Sequence, residues 1–393
     1  MLKIPIDCTG CFACVCICPK HCVSMKDSAD GFFTPQIDLS QCINCGQCEN
    51  VCPIVNQPEV SSNTIAYAIK NNNYEERYRS SSGGLFPLVA RFVLSLGGIV
   101  VGAAYDEKFV VRHMLIENED QLYLLQGAKY SQSILGESFS KIKKMLEFGR
   151  WVLFSGTPCQ CMGLKNFLGQ DYKNLIITDL ICHGVPSPKI WQTYIDFRSN
   201  IENNGIRPIE INMRSKVSGW SRYNYSTEFN YGKGHITRIH NSQDLYMKAF
   251  GGNICLRDSC SHCIAKGVER CTDFTLGDYW GVWNQFPDID DDNGVSIVFV
   301  HTKKGKKILD RLKKEMECKR VDLYSAYEEN ASLIVSSTAH KKKQFFLTQV
   351  TKSNFQELIY MCFPISEKKK KERIIRMIKN KINKHISRSI NIE

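Results

Sequence analysis

Short apolar runs alternate with amphipathic stretches along most of this chain, and the alternation begins at Ile65. Runs at 65–70, 99–105, 109–116, 151–155, 175–181 and 294–302 are rich in Val, Ile and Leu and read as strands. Between them, apolar positions recur at helical spacing over 85–95, 137–148, from 189 onward and over 303–317, and Asn118 opens a short helix. Residues 206–239 read as antiparallel strands with a turn at 232–234. The longest apolar run, 84–104, contains Arg91 and is broken at Leu96-Gly97-Gly98. A helix followed by a buried strand accounts for it, with Arg91 on the solvent face, and no membrane span is expected. Alternation of this kind argues an α/β body with a partly parallel sheet. The runs 151–155 and 175–181 each end in a cysteine-bearing turn that leads into a helix. Sites in open α/β sheets gather at the carboxyl ends of strands, so both turns are expected to face one cleft.

The first fifty or so residues follow another logic. Cys8, Cys11, Cys14 and Cys18-Pro19 recur at the same spacing as Cys42, Cys45, Cys48 and Cys52-Pro53. This is the ligand spacing of bacterial two-cluster ferredoxins, in which the fourth cysteine of each run serves the other cluster. One [4Fe-4S] cluster is therefore expected on Cys8, Cys11, Cys14 and Cys52, and a second on Cys42, Cys45, Cys48 and Cys18. Zinc prefers four tetrahedral ligands in pairs, and disulfides need an oxidising compartment for which the sequence MLKIPIDC offers no leader. Gly10 and Gly46 are expected to let the backbone approach sulfide. Cys16 and Cys22 lie outside the ligand frame and read as small buried residues. Asp30-Gly31 marks a hairpin between the two runs, and the polar segment 56–64 a linker.

A second cysteine group lies further on. Cys260 and Cys263 have metal-ligand spacing, and adding Cys159 and Cys182 from the two strand-end turns gives four thiolates that could converge. A third iron–sulfur cluster is the leading expectation; a zinc site and unligated buried thiols are the alternatives. Cys161, Cys255 and Cys271 are reserve ligands. Cys159 also admits a nucleophile or redox-active reading, because a thiol at a helix N-terminus has a lowered pKa. Residues 80–84 (three serines and two glycines) stand before a helix and offer amides and the helix dipole to a phosphate, or act only as a cap. His183 is a candidate proton donor or a structural histidine of its turn, and Asp278 and Trp280 could line a flavin site or only cap and pack.

Charge changes the picture only at one end. Residues 367–393 hold ten lysines and arginines against three glutamates, so this stretch carries most of the net +11. The remainder is nearly balanced, which excludes a basic nucleic-acid-binding body. Ile374, Ile375, Ile378, Ile382 and Ile386 form one stripe of a basic amphipathic helix, suited to a peripheral contact with an anionic membrane face, to a partner, or to solvent alone.

Taken together, SSSGGLF, GAKYSQS, FSGTPCQ, DLICHGVPSP, LRDSCSHC and TLGDYWG resemble the coenzyme F420 hydrogenase/dehydrogenase beta-subunit family, over roughly residues 65–302. The resemblance implies FAD plus iron–sulfur, electrons exchanged between a one-electron chain and a two-electron acceptor, and a ferredoxin module as a companion. It matches Cys159, Cys182, Cys260 and Cys263 to family cysteines and the 81–84 loop to a glycine-rich loop. Cofactor-binding residues expected with it are Ser81, Ser82, Gly83, Gly84, Lys129, Tyr130, Asp278 and Trp280; Cys159 and His183 are the catalytic candidates. The fold class expected is α+β/α/β and multidomain: a two-[4Fe-4S] ferredoxin module (1–58), an α/β flavin and iron–sulfur body in two domains (65–148 and 149–340), and a basic helical tail (341–393). The expected activity is that of an oxidoreductase acting on a small substrate or coenzyme, or of an electron-transfer adaptor for a partner protein, in the cytoplasm.

Overall fold

The computed structural model describes residue 5 and residues 7–364; the isoleucine stripe and the basic run beyond it lie outside the described residues. In chain order the strands are β1 (Val23–Asp27), β2 (Phe33–Ile37), β3 (Ile65–Asn71), β4 (Ile99–Tyr105), β5 (Val111–Ile116), β6 (Val152–Ser155) and β7 (Leu175–Leu180). There follow β8 (Glu210–Ser215), β9 (Ser226–Asn230), β10 (Ile236–His240), β11 (Phe274–Asp278), β12 (Ser296–Val300) and β13 (Met316–Val321). β1 and β2 form the hairpin between the cysteine runs, turning at Gly31 with φ +75°. β8–β10 make a separate antiparallel sheet, as the pattern over 206–239 indicates.

The remaining eight strands form one mixed sheet in the order β13-β3-β12-β11-β7-β6-β4-β5. β4, β6, β7 and β11 are mutually parallel and β3 runs the same way, while β5, β12 and β13 run antiparallel to them. The sheet draws β3–β5 from before residue 149 and the rest from after it, so the boundary expected there falls inside one sheet. Two of its strands differ from the sequence reading. The helix expected over 303–317 ends at Leu312, and Met316–Val321 pairs along β3 as an edge strand. β11 is a five-residue segment whose apolar pattern stops at Gly277-Asp278, so it does not announce itself, yet it lies between β7 and β12 in the middle of the sheet.

Alternation along the parallel strands divides the core. Val100, Leu153 and Ile176 point to one face, under Leu88, Val89 and Val93 of the helix Leu85–Ser95. Val101, Phe154 and Ile177 point to the other, where Phe139 and Leu164 of two helices cover them. Cys11, Phe12, Ala13 and Val51 of the N-terminal module join this second cluster, so the module is packed against the sheet. Burial of one such large apolar side chain contributes roughly 1.5–3 kcal/mol. Arg91 is half-buried and ion-paired to Glu76 and Glu315, each at 2.9 Å, where open solvent was expected.

A third core is aromatic: Trp191, Tyr194, Phe229 and Tyr246 pack with Phe346 and Phe355. The last two belong to helices Lys343–Gln349 and Phe355–Cys362. The start of the segment assigned to the tail is therefore core, held by apolar contacts that no charge count reveals. No helix among the described residues is long and apolar enough to cross a membrane.

Candidate functional site

The two N-terminal cysteine runs close into two cavities, each lined by one of the interleaved sets of four thiols that the spacing indicates. Cys8, Cys11, Cys14 and Cys52 line one; Cys42, Cys45, Cys48 and Cys18 line the other. The chain reaches this arrangement through left-handed residues at the helix starts, Phe12 (φ 65°) and Gly46 (φ 74°). Gly10 donates its amide to Cys8 Sγ at 3.4 Å. Its lack of a Cβ matters for a different reason than sulfide approach: a Cβ there would run into Gln132 and Arg257 of the body. Gly46 has no neighbour within 4 Å and needs only its positive φ. Cys16 points away and reaches the Gly136 carbonyl at 3.3 Å. Cys22 does not: it lines the second cavity, 3.3 Å from Cys18 Sγ.

Cys159, Cys182, Cys260 and Cys263 line a third small cavity, together with Arg257, Lys266 and Arg270. Cys159 sits in the first turn of helix Pro158–Leu168, entered through a capping box between Thr157 and Gln160. Cys182 follows β7, and Cys260 and Cys263 come from the short 3-10 turn Asp258–His262 and its end. The Val185 amide donates to Cys260 Sγ at 3.4 Å. Of the reserve ligands, none lines this cavity: Cys161 bonds weakly to the Thr178 carbonyl and Cys255 is fully buried in the aromatic core. Burial pushes the Cys159 thiol up to about 12, against the lowered value that a helix N-terminus alone would give. Cys11 is likewise raised to about 12 by burial. Thiols so placed gain little as free nucleophiles, whereas ligation to a cation favours the thiolate directly. Four thiols around one cavity are the donor set of a cuboidal iron–sulfur cluster. Among the described residues no group of three or more His, Cys, Asp or Glu could hold a single metal ion.

A cleft of about 630 Å³ opens at the carboxyl ends of β6, β7 and β11. It shares the wall 182–185 with the third cavity. The loop Ser80–Gly84 forms one rim and is held from behind. Lys216 Nζ donates to the carbonyls of Arg77 (2.6 Å), Ser82 (3.1 Å) and Asn293 (2.6 Å). Gly83 donates its amide to Ser296 Oγ at 2.9 Å, and a Cβ on it would collide with the Ile69 carbonyl. Gly84, at φ 80°, starts the helix Leu85–Ser95. The loop, its glycines and the helix N-terminus make a cradle suited to a phosphate.

Asp278 pairs with Arg214 at 3.1 Å, and Arg214 also donates to the Tyr130 hydroxyl at 3.3 Å. The same guanidinium lies over the Tyr225 and Trp280 rings, and Trp280 stacks on Trp220. Asp278 Oδ1 and Ser131 Oγ, both in cleft-lining residues, are buried with no hydrogen-bond partner among the described residues. Such atoms call for a polar ligand or water. Lys129 Nζ donates to the carbonyls of Gln126 (2.7 Å) and Gly127 (3.3 Å), and burial pulls it down to about 7. His183 is held by Asn253 at 2.7 Å and Ser332 at 3.3 Å, and burial lowers its pKa, so it stands as a neutral, fixed ring in the shared wall.

All the cofactor and catalytic candidates from the sequence thus line the cleft or the third cavity, except Gly83, which lies behind the rim. Arg214, Lys216, Trp220, His113 and Gln132 were missed. Each is a single polar or aromatic residue with no spacing to a partner in the sequence, and only pairing across the fold brings it to the site.

Residues 149–324 match the family model for the C terminus of the coenzyme F420 hydrogenase/dehydrogenase beta subunit, and residues 7–55 match the 4Fe-4S dicluster domain. The chain is 22% identical over 330 residues to the F subunit of the F(420)H(2) dehydrogenase of Methanosarcina mazei, covering 79% of this chain and 83% of that protein. Over 57 residues it is 35% identical to the I subunit of the NADH-quinone oxidoreductase of Pelobacter propionicus, 12% of this chain and 30% of that one. One chain in the structure of the F420-reducing [NiFe] hydrogenase complex from Methanosarcina barkeri aligns at TM-score 0.44 and 16% identity, over 75% of this chain and 89% of its own length.

Proposed function

We propose, given that residues 149–324 are the C-terminal domain typical of coenzyme F420 hydrogenase/dehydrogenase beta subunits, that this iron–sulfur oxidoreductase is a flavoprotein. Its thiol cavities and its cleft serve one electron route between a redox partner and a small substrate or coenzyme. The observation that carries this reading is continuity. Thr9 lines both the first and the third cavity, and 182–185 line both the third cavity and the cleft. The second cavity lies at the other end, where Cys45 is exposed.

Bound in these places, clusters supply one-electron transfer and a flavin supplies the exchange between one-electron and hydride chemistry. Cys8, Cys11, Cys14 and Cys52 would hold the first cluster, Cys18, Cys42, Cys45 and Cys48 the second, and Cys159, Cys182, Cys260 and Cys263 a third. Arg257, Lys266 and Arg270 place positive charge around the third set and oppose its negative charge. The Val185 and Gly10 amides aim at cysteine sulfur, which tunes potential. In the cleft, the Ser81–Gly84 rim would take a phosphate of FAD. Asp278 and Ser131 offer unpaired oxygens to the polar edge of a ring, and Trp280 offers an aromatic face. Lys129, poised near neutrality, can hold or release a proton beside the bound substrate.

Exposure of Cys45 favours a second reading beside the first, in which the outer cavity meets a partner protein and the chain acts as its electron-transfer adaptor. Anaerobic purification with iron, sulfide and flavin counted per chain tests the proposal. About twelve irons with one flavin support it; about eight irons without flavin remove the third cluster and the flavin together. Turnover of the isolated chain with dithionite and candidate acceptors separates enzyme from adaptor.

A further inference from the structure

The second cavity holds five thiols where a cluster uses four. Cys22 lines it beside Cys18, Cys42, Cys45 and Cys48, and Cys22 is only 6% exposed. A tight turn produces the juxtaposition. His21, at φ 50°, donates its amide to the Cys18 carbonyl at 3.1 Å and reverses the chain, so that Cys22 Sγ comes to 3.3 Å from Cys18 Sγ. The Cys22 backbone is then fixed by the Asp38 amide, which donates to its carbonyl at 2.8 Å at the mouth of the β1–β2 hairpin. The fold itself does not demand a thiol there. At the equivalent place after the other run, four residues beyond Cys52, stands Asn56, whose side chain caps the carbonyls of Glu49 and Asn50. The first cavity has no counterpart to Cys22 among its lining residues.

We propose that Cys22 is a reserve ligand of the second cavity, able to take over the iron that Cys18 holds. The inference rests on the reading of Cys18 as a ligand. In the exchange the Cys22 thiol gives up its proton and its sulfur bonds iron as the bond from iron to Cys18 sulfur breaks, and Cys18 takes up a proton. No electron is gained or lost. The cavity nearest solvent, with Cys45 at its exposed edge, is the one where a spare ligand would preserve a cluster.

Full-length C18A, C18A/C22A and C45A chains, prepared anaerobically, test this by iron and sulfide per chain and by EPR of the dithionite-reduced protein. C18A is expected to keep the wild-type iron content, whereas C18A/C22A and C45A each lose about four irons. If C18A loses as much iron as C45A, or is insoluble where C45A is soluble, Cys22 does not substitute and the proposal fails. If C18A/C22A retains all its iron, Cys18 is not a ligand and the underlying reading fails instead, while C45A still reports whether the cavity holds a cluster. A C18S and C18S/C22A pair, with a serine hydroxyl keeping the corner polar, covers poor folding of the alanine chains. A wild-type spectrum in C18S that changes in C18S/C22A supports the exchange, and identical spectra in the two overturn it.

Discussion

Arg257 donates from Nε to the main-chain carbonyl of Cys8 at 2.6 Å, joining residues 249 positions apart in the chain. Its other arm reaches Gln132 Oε1 at 3.1 Å, and Gln132 in turn donates to the Thr9 carbonyl at 3.3 Å. One buried cation thus locks the first cysteine loop to the body at the point where the first and third cavities meet. Arg257→Ala leaves one buried and one partly buried acceptor without a charged donor, a loss of about 1.5–3 kcal/mol. The variant is expected to be cut faster by protease within 56–64 and to reduce cleft-bound acceptors more slowly, with the iron of the N-terminal sets unchanged. An unaltered cleavage rate would show that the contact does not hold the module.

Cys182 and Cys271 separate ligand from bystander. C182A is expected to lose about four irons per chain while the N-terminal signals persist in EPR. C271A, removed from the third cavity, is expected to keep full iron. Equal iron in both would take Cys182 out of the ligand set.

The Gly83 position makes a steric prediction. G83A drives a methyl group into the Ile69 carbonyl, so the rim of the cleft must shift or strain. A loss of more than about 3 kcal/mol in stability is expected, with little flavin retained. G97A is the contrast: Gly97 has a positive φ (+69°), which Gly83 does not, but open space around it, so about 1 kcal/mol and full flavin retention are expected. Chemical denaturation and flavin absorbance read both.

Lys129 sets a pH dependence. Burial brings it down from 10.5 to about 7, so between those values the folded chain has released a proton that the unfolded chain still holds. Stability therefore rises with pH through this window, since the unfolded state binds more protons there. Lys216 is lowered to about 7 in the same direction, so part of the slope should survive when Lys129 alone is removed. K129M is expected to show a shallower climb between pH 7 and pH 10 than wild type in matched denaturation series. Parallel curves would mean that Lys129 titrates normally.

Much of the site was written locally. Within each N-terminal run the cysteines lie three or four positions apart, so local spacing fixes three thiols of each set, and the repeat of the spacing indicates that the fourth comes from the other run. The helix Leu85–Ser95 and strands β3, β4 and β12 were legible because their apolar periods are long and uninterrupted. The turns after β6 and β7 were legible because cysteine, glycine and proline punctuate apolar strands there. The tertiary structure decided the rest. β11 and β13 carry too little apolar pattern to stand out, and their places depend on pairing with β7, β12 and β3. The Lys216 clamp, the Arg214–Asp278 pair and the Arg257–Cys8 lock each join segments tens to hundreds of residues apart, and no period or spacing encodes such a meeting. Cys22 lies at the boundary between the two: its identity is plain in the sequence, but only the turn at His21 aims it at the cavity beside Cys18.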